Sequence, residues 1–219
     1  MQKYFDDELA NFKEKLLTMG SYAESSVSQA VQAVCERNDH LARQVQENDD
    51  IMDQFEIEID EMAINLLAKA PLATDLRLIT VAMKISQNLE RVGDEATTIA
   101  RRAIELNLEP PLNAFVEVPR MATIALELLK DALDSFVNKQ AEKARAIVPR
   151  DKEVDAINRQ IHSDLAAYMG KNPDTISRCL NLMTVSKSLE RVADHAANIA
   201  EEVVYFCEAR DIRHEAHKL

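Results

Sequence analysis

Apolar residues recur along this chain at alternating steps of three and four, the period of an amphipathic helix. The first such stripe is Leu9, Phe12, Leu16, Met19, Ala23, Ser26, Ala30 and Ala33, and it predicts a helix from about Tyr4 to Glu36. Asn38-Asp39 is a plausible cap for a second helix, whose stripe is Leu41, Val45, Met52, Phe55, Ile59, Met62 and Leu66. Pro71 marks the start of a third, since proline at a first helical position costs no needed donor. That third stripe, Leu78, Ala82, Ile85, Leu89, Val92, Ala96, Ile99 and Ala103, is the cleanest in the chain. Pro110-Pro111 ends it and reads as a hinge.

Beyond the hinge the pattern repeats. A fourth helix starts near Pro119, and its Met121, Ala125, Leu129, Ala132 and Phe136 lie 102 positions after Met19, Ala23, Val27, Ala30 and Val34. A fifth carries Val154, Ile157, Ile161 and Tyr168. After Asn172-Pro173, a sixth carries Leu182, Val185, Leu189, Val192, Ala196, Ile199, Val203 and Phe206. Strand-like alternation is not apparent. The chain therefore reads as all-α, two tandem three-helix bundles from an internal duplication, with units 1–110 and 111–219. Leu78, Ile85, Leu89, Val92, Leu182, Leu189 and Val192 are expected to be buried. Whether the bundles lie side by side or end to end stays open.

The duplication is sharpest in one hexapeptide. Leu89-Glu90-Arg91-Val92-Gly93-Asp94 returns 100 positions later as Leu189-Glu190-Arg191-Val192-Ala193-Asp194. Each copy holds two carboxylates at i, i+4, one turn apart on one helix face. Glu90 and Glu190 each follow a stripe leucine, so these acids flank the apolar seam on its outer side. The second helix of each half has its own pair, Asp49/Asp53 and Asp151/Asp155, flanking its stripe in the same way. Two neighbouring helices, each with two carboxylates, can build a four-carboxylate patch that repels itself unless a cation neutralises it. Hard ions suit such ligands: magnesium, manganese, calcium or iron, with zinc also accommodated. Acid pairs beside a stripe are more often plain solvated surface, and roughly six would arise by chance at this acid content. Recurrence in two halves strengthens the cation reading and leaves the solvated one open.

Composition narrows the field. The chain is 47% hydrophobic and 29% charged, with three glycines and no tryptophan, which suits a globular helical protein. Its formal net charge of −12 would repel a phosphate backbone, so no nucleic-acid partner is expected. Cys35, Cys179 and Cys207 form no C-x-x-C motif and fit a reducing cytosol. The acidic start lacks the apolar stretch of a signal peptide, and no run approaches a membrane span. A soluble protein without direct membrane insertion is expected. His214 and His217, at i, i+3 near the chain end, read as terminal residues rather than ligands, and His40 and His162 as surface or helix-end residues. There is no glycine-rich phosphate loop and no nucleophile elbow. A carboxylate-bridged di-metal enzyme would want inward Glu-x-x-His motifs, which the two hexapeptides do not provide.

On the two hexapeptides, on Pro71-Leu72-Ala73-Thr74-Asp75-Leu76-Arg77 and on the doubled three-helix unit, nearly the whole chain resembles the PhoU family of phosphate-transport-system regulators. The resemblance implies a cytoplasmic, non-catalytic adaptor working with the phosphate ABC transporter and a sensor histidine kinase. It would hold the phosphate-starvation response off when phosphate is plentiful. It also implies metal ions on the acid pairs, here matching Glu90/Asp94, Glu190/Asp194, Asp49/Asp53 and Asp151/Asp155. His195 stands where the first half has Glu95, so the two candidate sites need not be equivalent. Asp75-Leu76-Arg77 has no clear counterpart in the second half, and Arg77 reads as a surface charge. A di-metal enzyme and a plain structural module remain as alternatives, and the oligomeric state stays open, a homodimer included.

Overall fold

The computed structural model describes residues 2–69, 72–112 and 117–212. The first stripe forms α1 (Gln2–Glu36), with Phe12, Leu16, Met19 and Ala23 fully buried and Val27, rather than Ser26, continuing the buried line. The helix stops where Arg37 turns into the left-handed region, at φ 54°. Asn38 then caps α2 (Asp39–Glu47), its side-chain oxygen accepting from the Leu41 N–H at 3.1 Å.

Here the structure departs from the expected single second helix. The chain turns at Asn48 and Asp49 before α3 (Asp50–Leu67) begins. The Asn48 and Asp49 N–H groups are spent on the last carbonyls of α2, those of Gln44 and Gln46. The stripe hides this break because Val45 and Met52 are seven residues apart and stay in phase across it. The second half breaks at the equivalent place, where α6 (Ala141–Ile147) passes through a 3-10 turn at Val148–Arg150 into α7 (Asp151–Lys171). Pro149, which has no N–H to give a helix, sits in that turn.

The third helices are α4 (Ala73–Asn107) and α8 (Ile176–Glu208), the latter preceded by a 3-10 turn at Pro173–Thr175. The second half opens with α5 (Val118–Asn138), which has Pro119 in its first turn. Pro71, His214 and His217 lie outside the described residues. Among the described residues every element is helical, and no helix is long and apolar enough to cross a membrane.

In the first half α3 runs against α1, with Lys15 paired to Glu58 and Lys69 to Glu8. The halves lie side by side. As the α4 partner advances through Lys84, Asn88, Glu95 and Arg102, its α8 partner retreats through Glu202, His195, Arg191 and Asn181, so these two helices are antiparallel. On the opposite side α1 meets α5 closely: a Cβ at Gly20 would lie 2.7 Å from Leu133 Cδ1. One continuous apolar core therefore spans both halves. Each large side chain fully buried in it contributes about 1.5–3 kcal/mol.

Of the residues expected to be buried, Leu78, Ile85, Leu89, Val92, Leu189 and Val192 are. Leu182 is only partly buried, because it lies near the end of the bundle and lines an open hollow with Pro110, Pro111 and Val118. The expected hinge at Pro110-Pro111 is held at both sides. Arg37 donates to the carbonyls of Leu106 (3.2 Å), Asn107 (3.1 Å) and Glu109 (2.6 Å), and Arg178 donates to that of Pro110 (2.9 Å). Two guanidinium groups thus satisfy carbonyls that the end of α4 and the linker leave without helical partners.

Candidate metal centres

The breaks between α2 and α3, and between α6 and α7, set the acids in place. Each break ends at an aspartate, Asp49 or Asp151, and the next turn of helix carries Asp53 or Asp155. α3 packs on α4 and α7 on α8. Buried Met52 and Val154 direct their helices inward at the level of Val92 and Val192, so the aspartates beside them border the acids of α4 and α8. Of the eight sequence-predicted acids, Asp155, Glu190 and Asp194 come within 4.8 Å of one another, while Asp151 and the first-half set Asp49, Asp53, Glu90 and Asp94 form no group that close.

In the first half Asp49 accepts a hydrogen bond from Thr97 Oγ1 at 2.8 Å. The Glu90 carboxyl is pushed up to about 7, by burial first and then by Asp94, Glu56 and Asp53. Asp94, though exposed along one side, is also raised, by desolvation and by Asp49 and Asp53, while a hydrogen bond shared with Glu90 counters part of that rise. Two carboxylates that share a proton relieve part of their repulsion. A fifth acid belongs here. Glu56, three residues after Asp53, is raised by burial, by Asp60 and by Asp53, and in turn raises Glu90. Its only mark in the sequence is an i, i+3 spacing from Asp53, which the second half does not repeat because Asn158 stands there.

The second half is gathered more tightly. Asp155, Glu190 and Asp194 each offer an oxygen within 4.8 Å of the others, and among the described residues no other acidic or thiol-imidazole set is as close. The Asp194 carboxyl is pushed up to about 6, by burial first and then by Glu190 and Asp155. Asp151 is raised by burial too, with Asp155 and Glu190 adding to it. One oxygen of Asp151, Oδ1, is buried and has no hydrogen-bond partner. Glu190 contacts the Lys187 ammonium, and Asp155 has Arg159 at 3.9 Å.

These residues fit a hard cation. The donors are all carboxylate oxygens, several held against their own repulsion, and Asp151 Oδ1 lacks any other partner. His195 is not among them. It lies on the seam between halves, its Nδ1 3.0 Å from Asn88 Oδ1, and burial and the nearby Arg91 lower its pKa. Glu95, its counterpart, is nearly buried on the same seam and accepts from Arg191 at 3.0 Å. Arg77 also reaches across the seam, to the Phe206 carbonyl at 3.4 Å, rather than standing free on the surface.

Comparison with known proteins agrees with this architecture. The PhoU domain family model matches residues 16–103 and again 118–203. A phosphate-specific transport system accessory protein PhoU homolog from Pseudomonas aeruginosa is 40% identical over 217 residues, which is 98% of this chain and 89% of that protein. The crystal structure of PhoU from Pseudomonas aeruginosa superposes with a TM-score of 0.91 at 40% identity, covering 94% of this chain and 100% of that one. The crystal structure of the phosphate transport system regulatory protein PhoU from Streptococcus pneumoniae gives a TM-score of 0.86 at 27% identity, covering 94% and 98%.

Proposed function

This chain belongs to the PhoU family, and from that premise we propose that it is a regulatory accessory protein of a phosphate-specific transport system. It acts in the cytoplasm without catalysing a reaction. It links the phosphate ABC transporter to a sensor histidine kinase, modulates phosphate uptake and holds the phosphate-starvation response off when phosphate is abundant. The observation that carries this reading is the near full-length similarity to the Pseudomonas aeruginosa accessory protein, which extends through both repeats.

The acid clusters supply the chemistry. Asp49, Asp53, Glu90 and Asp94, with Glu56, are the residues that would hold metal in unit 1–110, and Asp151, Asp155, Glu190 and Asp194 those in unit 111–219. A bound divalent or trivalent ion offsets the excess negative charge of each cluster and ties two helices together. The all-oxygen donor set favours magnesium, manganese or iron and tolerates zinc. The carboxylates stand on the outer side of the core rather than on inward Glu-x-x-His motifs, which favours a regulatory ion over a di-metal oxidase.

Deletion of the gene tests the regulatory reading. In high phosphate, a phosphate-starvation reporter should switch on in the deletion strain and fall silent again when the gene is restored. A reporter that stays silent in the deletion strain contradicts the proposal.

A further inference from the structure

Duplication invites the assumption that the two clusters are equal, and the charges around them say otherwise. Three positions beside the second-half cluster carry cations. Lys187 contacts Glu190, Arg159 lies 3.9 Å from Asp155, and Lys152 acts on Asp151. At the offsets of the repeat, the first half has Gln87, Ile57 and Asp50 in those places. Every exchange removes a positive charge from the first cluster, and the last adds a negative one.

The acids differ in the same direction. The first half has Glu56 where the second has Asn158, whose side chain is engaged by Ser186. Counting each cluster, five carboxylates (Asp49, Asp53, Glu56, Glu90, Asp94) stand against four (Asp151, Asp155, Glu190, Asp194). Arginine stands at 91 and at 191, so it does not separate the halves by type, and Arg191 is committed to Glu95 across the seam. Lys187 contacts Glu190 and acts on Asp194, two of the three acids whose oxygens lie within 4.8 Å of one another. In the first cluster Arg91 acts on Glu90 and Glu56 but makes no ion pair with any of its acids, and no three of those acids come as close together.

We infer that Lys187 is a built-in counter-ion of the second cluster and that the two halves load metal in sequence, the first at lower metal concentration than the second. Metal entering the second half must displace the ammonium from Glu190 and then remain beside it. The first half offers more charge, and its Arg91 is not paired to a cluster acid as Lys187 is to Glu190. One chain thus responds to metal at two thresholds, with its first repeat loaded over a range in which its second is still closed by its own lysine. This inference rests on the metal-binding reading given above.

Titration of chelator-stripped, full-length protein with Mn²⁺, following free ion by electron paramagnetic resonance, tests it. The parent should bind in two phases. The tighter phase should vanish in Glu90→Gln/Asp94→Asn and the weaker in Glu190→Gln/Asp194→Asn. Lys187→Met should tighten the weaker phase roughly tenfold, the scale of one unit charge a few ångströms away in a solvent-screened site. Lys187→Arg should leave it weak, and Gln87→Lys should weaken the tighter phase by a similar factor. Both changed side chains are at least partly exposed, so helix content by circular dichroism should not move. Equal affinities in the two halves, a tighter second half, or a Lys187→Met protein indistinguishable from its parent would each overturn the inference while leaving metal binding intact. A parent that binds no Mn²⁺ overturns the metal reading and this inference together.

Discussion

Glu90 holds the largest electrostatic tension in the first half, and that tension has a measurable sign. Its carboxyl is raised from an ordinary 4.5 to about 7, so the folded chain prefers it protonated. A raised acid stabilises the fold fully below its unfolded value, and that contribution drains away as pH climbs through the folded one. In chelated protein the melting temperature should therefore fall between about pH 4.5 and 7, with Asp194, raised from 3.8 to about 6, adding its share over the lower part of the range. Glu90→Gln cannot ionise and should flatten the decline and melt higher than the parent at pH 8. Scanning calorimetry across that range decides it, and a variant that melts lower than the parent at pH 8 would contradict the assignment. At this scale the eight acids were legible in the sequence because repetition singled them out. Glu56 was not, since its i, i+3 spacing from Asp53 has no copy in the second half. Lys187 was passed over because its meaning depends on a carboxylate one turn away having crowded neighbours from another helix.

At the scale of elements, periodicity gave the long helices but not where the second helix of each half breaks. The break at Asn48-Asp49 leaves the stripe in phase, so only the turn's own hydrogen bonds betray it. In the second half Pro149 is a visible marker of the same event. The breaks matter because they lift Asp49 and Asp151 to the start of α3 and α7, beside the acids of α4 and α8. In the first half the closeness of α3 and α4 is set by one matched pair, Gly93 and Met52. A Cβ on Gly93 would lie 2.7 Å from Met52 Cγ and 3.3 Å from its Cβ, too near for either atom to stay in place. The repeat solves the same contact differently, with Val154 and Ala193 at the corresponding positions. Gly93→Ala should cost about 1–3 kcal/mol through overpacking, measured by urea denaturation. Adding Met52→Val, which copies the second half, should recover part of that loss. If Gly93→Ala proves neutral or stabilising, the approach of α3 and α4 is not governed by this contact.

For the whole molecule, the sequence established two repeats and left their arrangement open, because the pairing of α4 with α8 is written in single side chains far apart in the chain. Lys84–Glu202, Asn88–His195 and Glu95–Arg191 cross that seam in antiparallel order. Positions 95 and 195 both face the other half, and Glu95 in addition raises the neighbouring Asp94 carboxyl. The clusters themselves lie beyond it, one on each flank of the joined pair. The flanking acids are proposed to hold metal, and the metal content of the protein decides whether they do. Parent protein and the variant Glu90→Gln/Asp94→Asn/Glu190→Gln/Asp194→Asn are stripped, dialysed against Mn²⁺ and analysed for bound metal by mass spectrometry, with circular dichroism to verify the fold. The parent should retain metal and the quadruple variant should lose nearly all of it while staying helical, because the changed side chains lie off the core. A quadruple variant holding as much metal as its parent, or a parent holding none, would make these acids solvated surface.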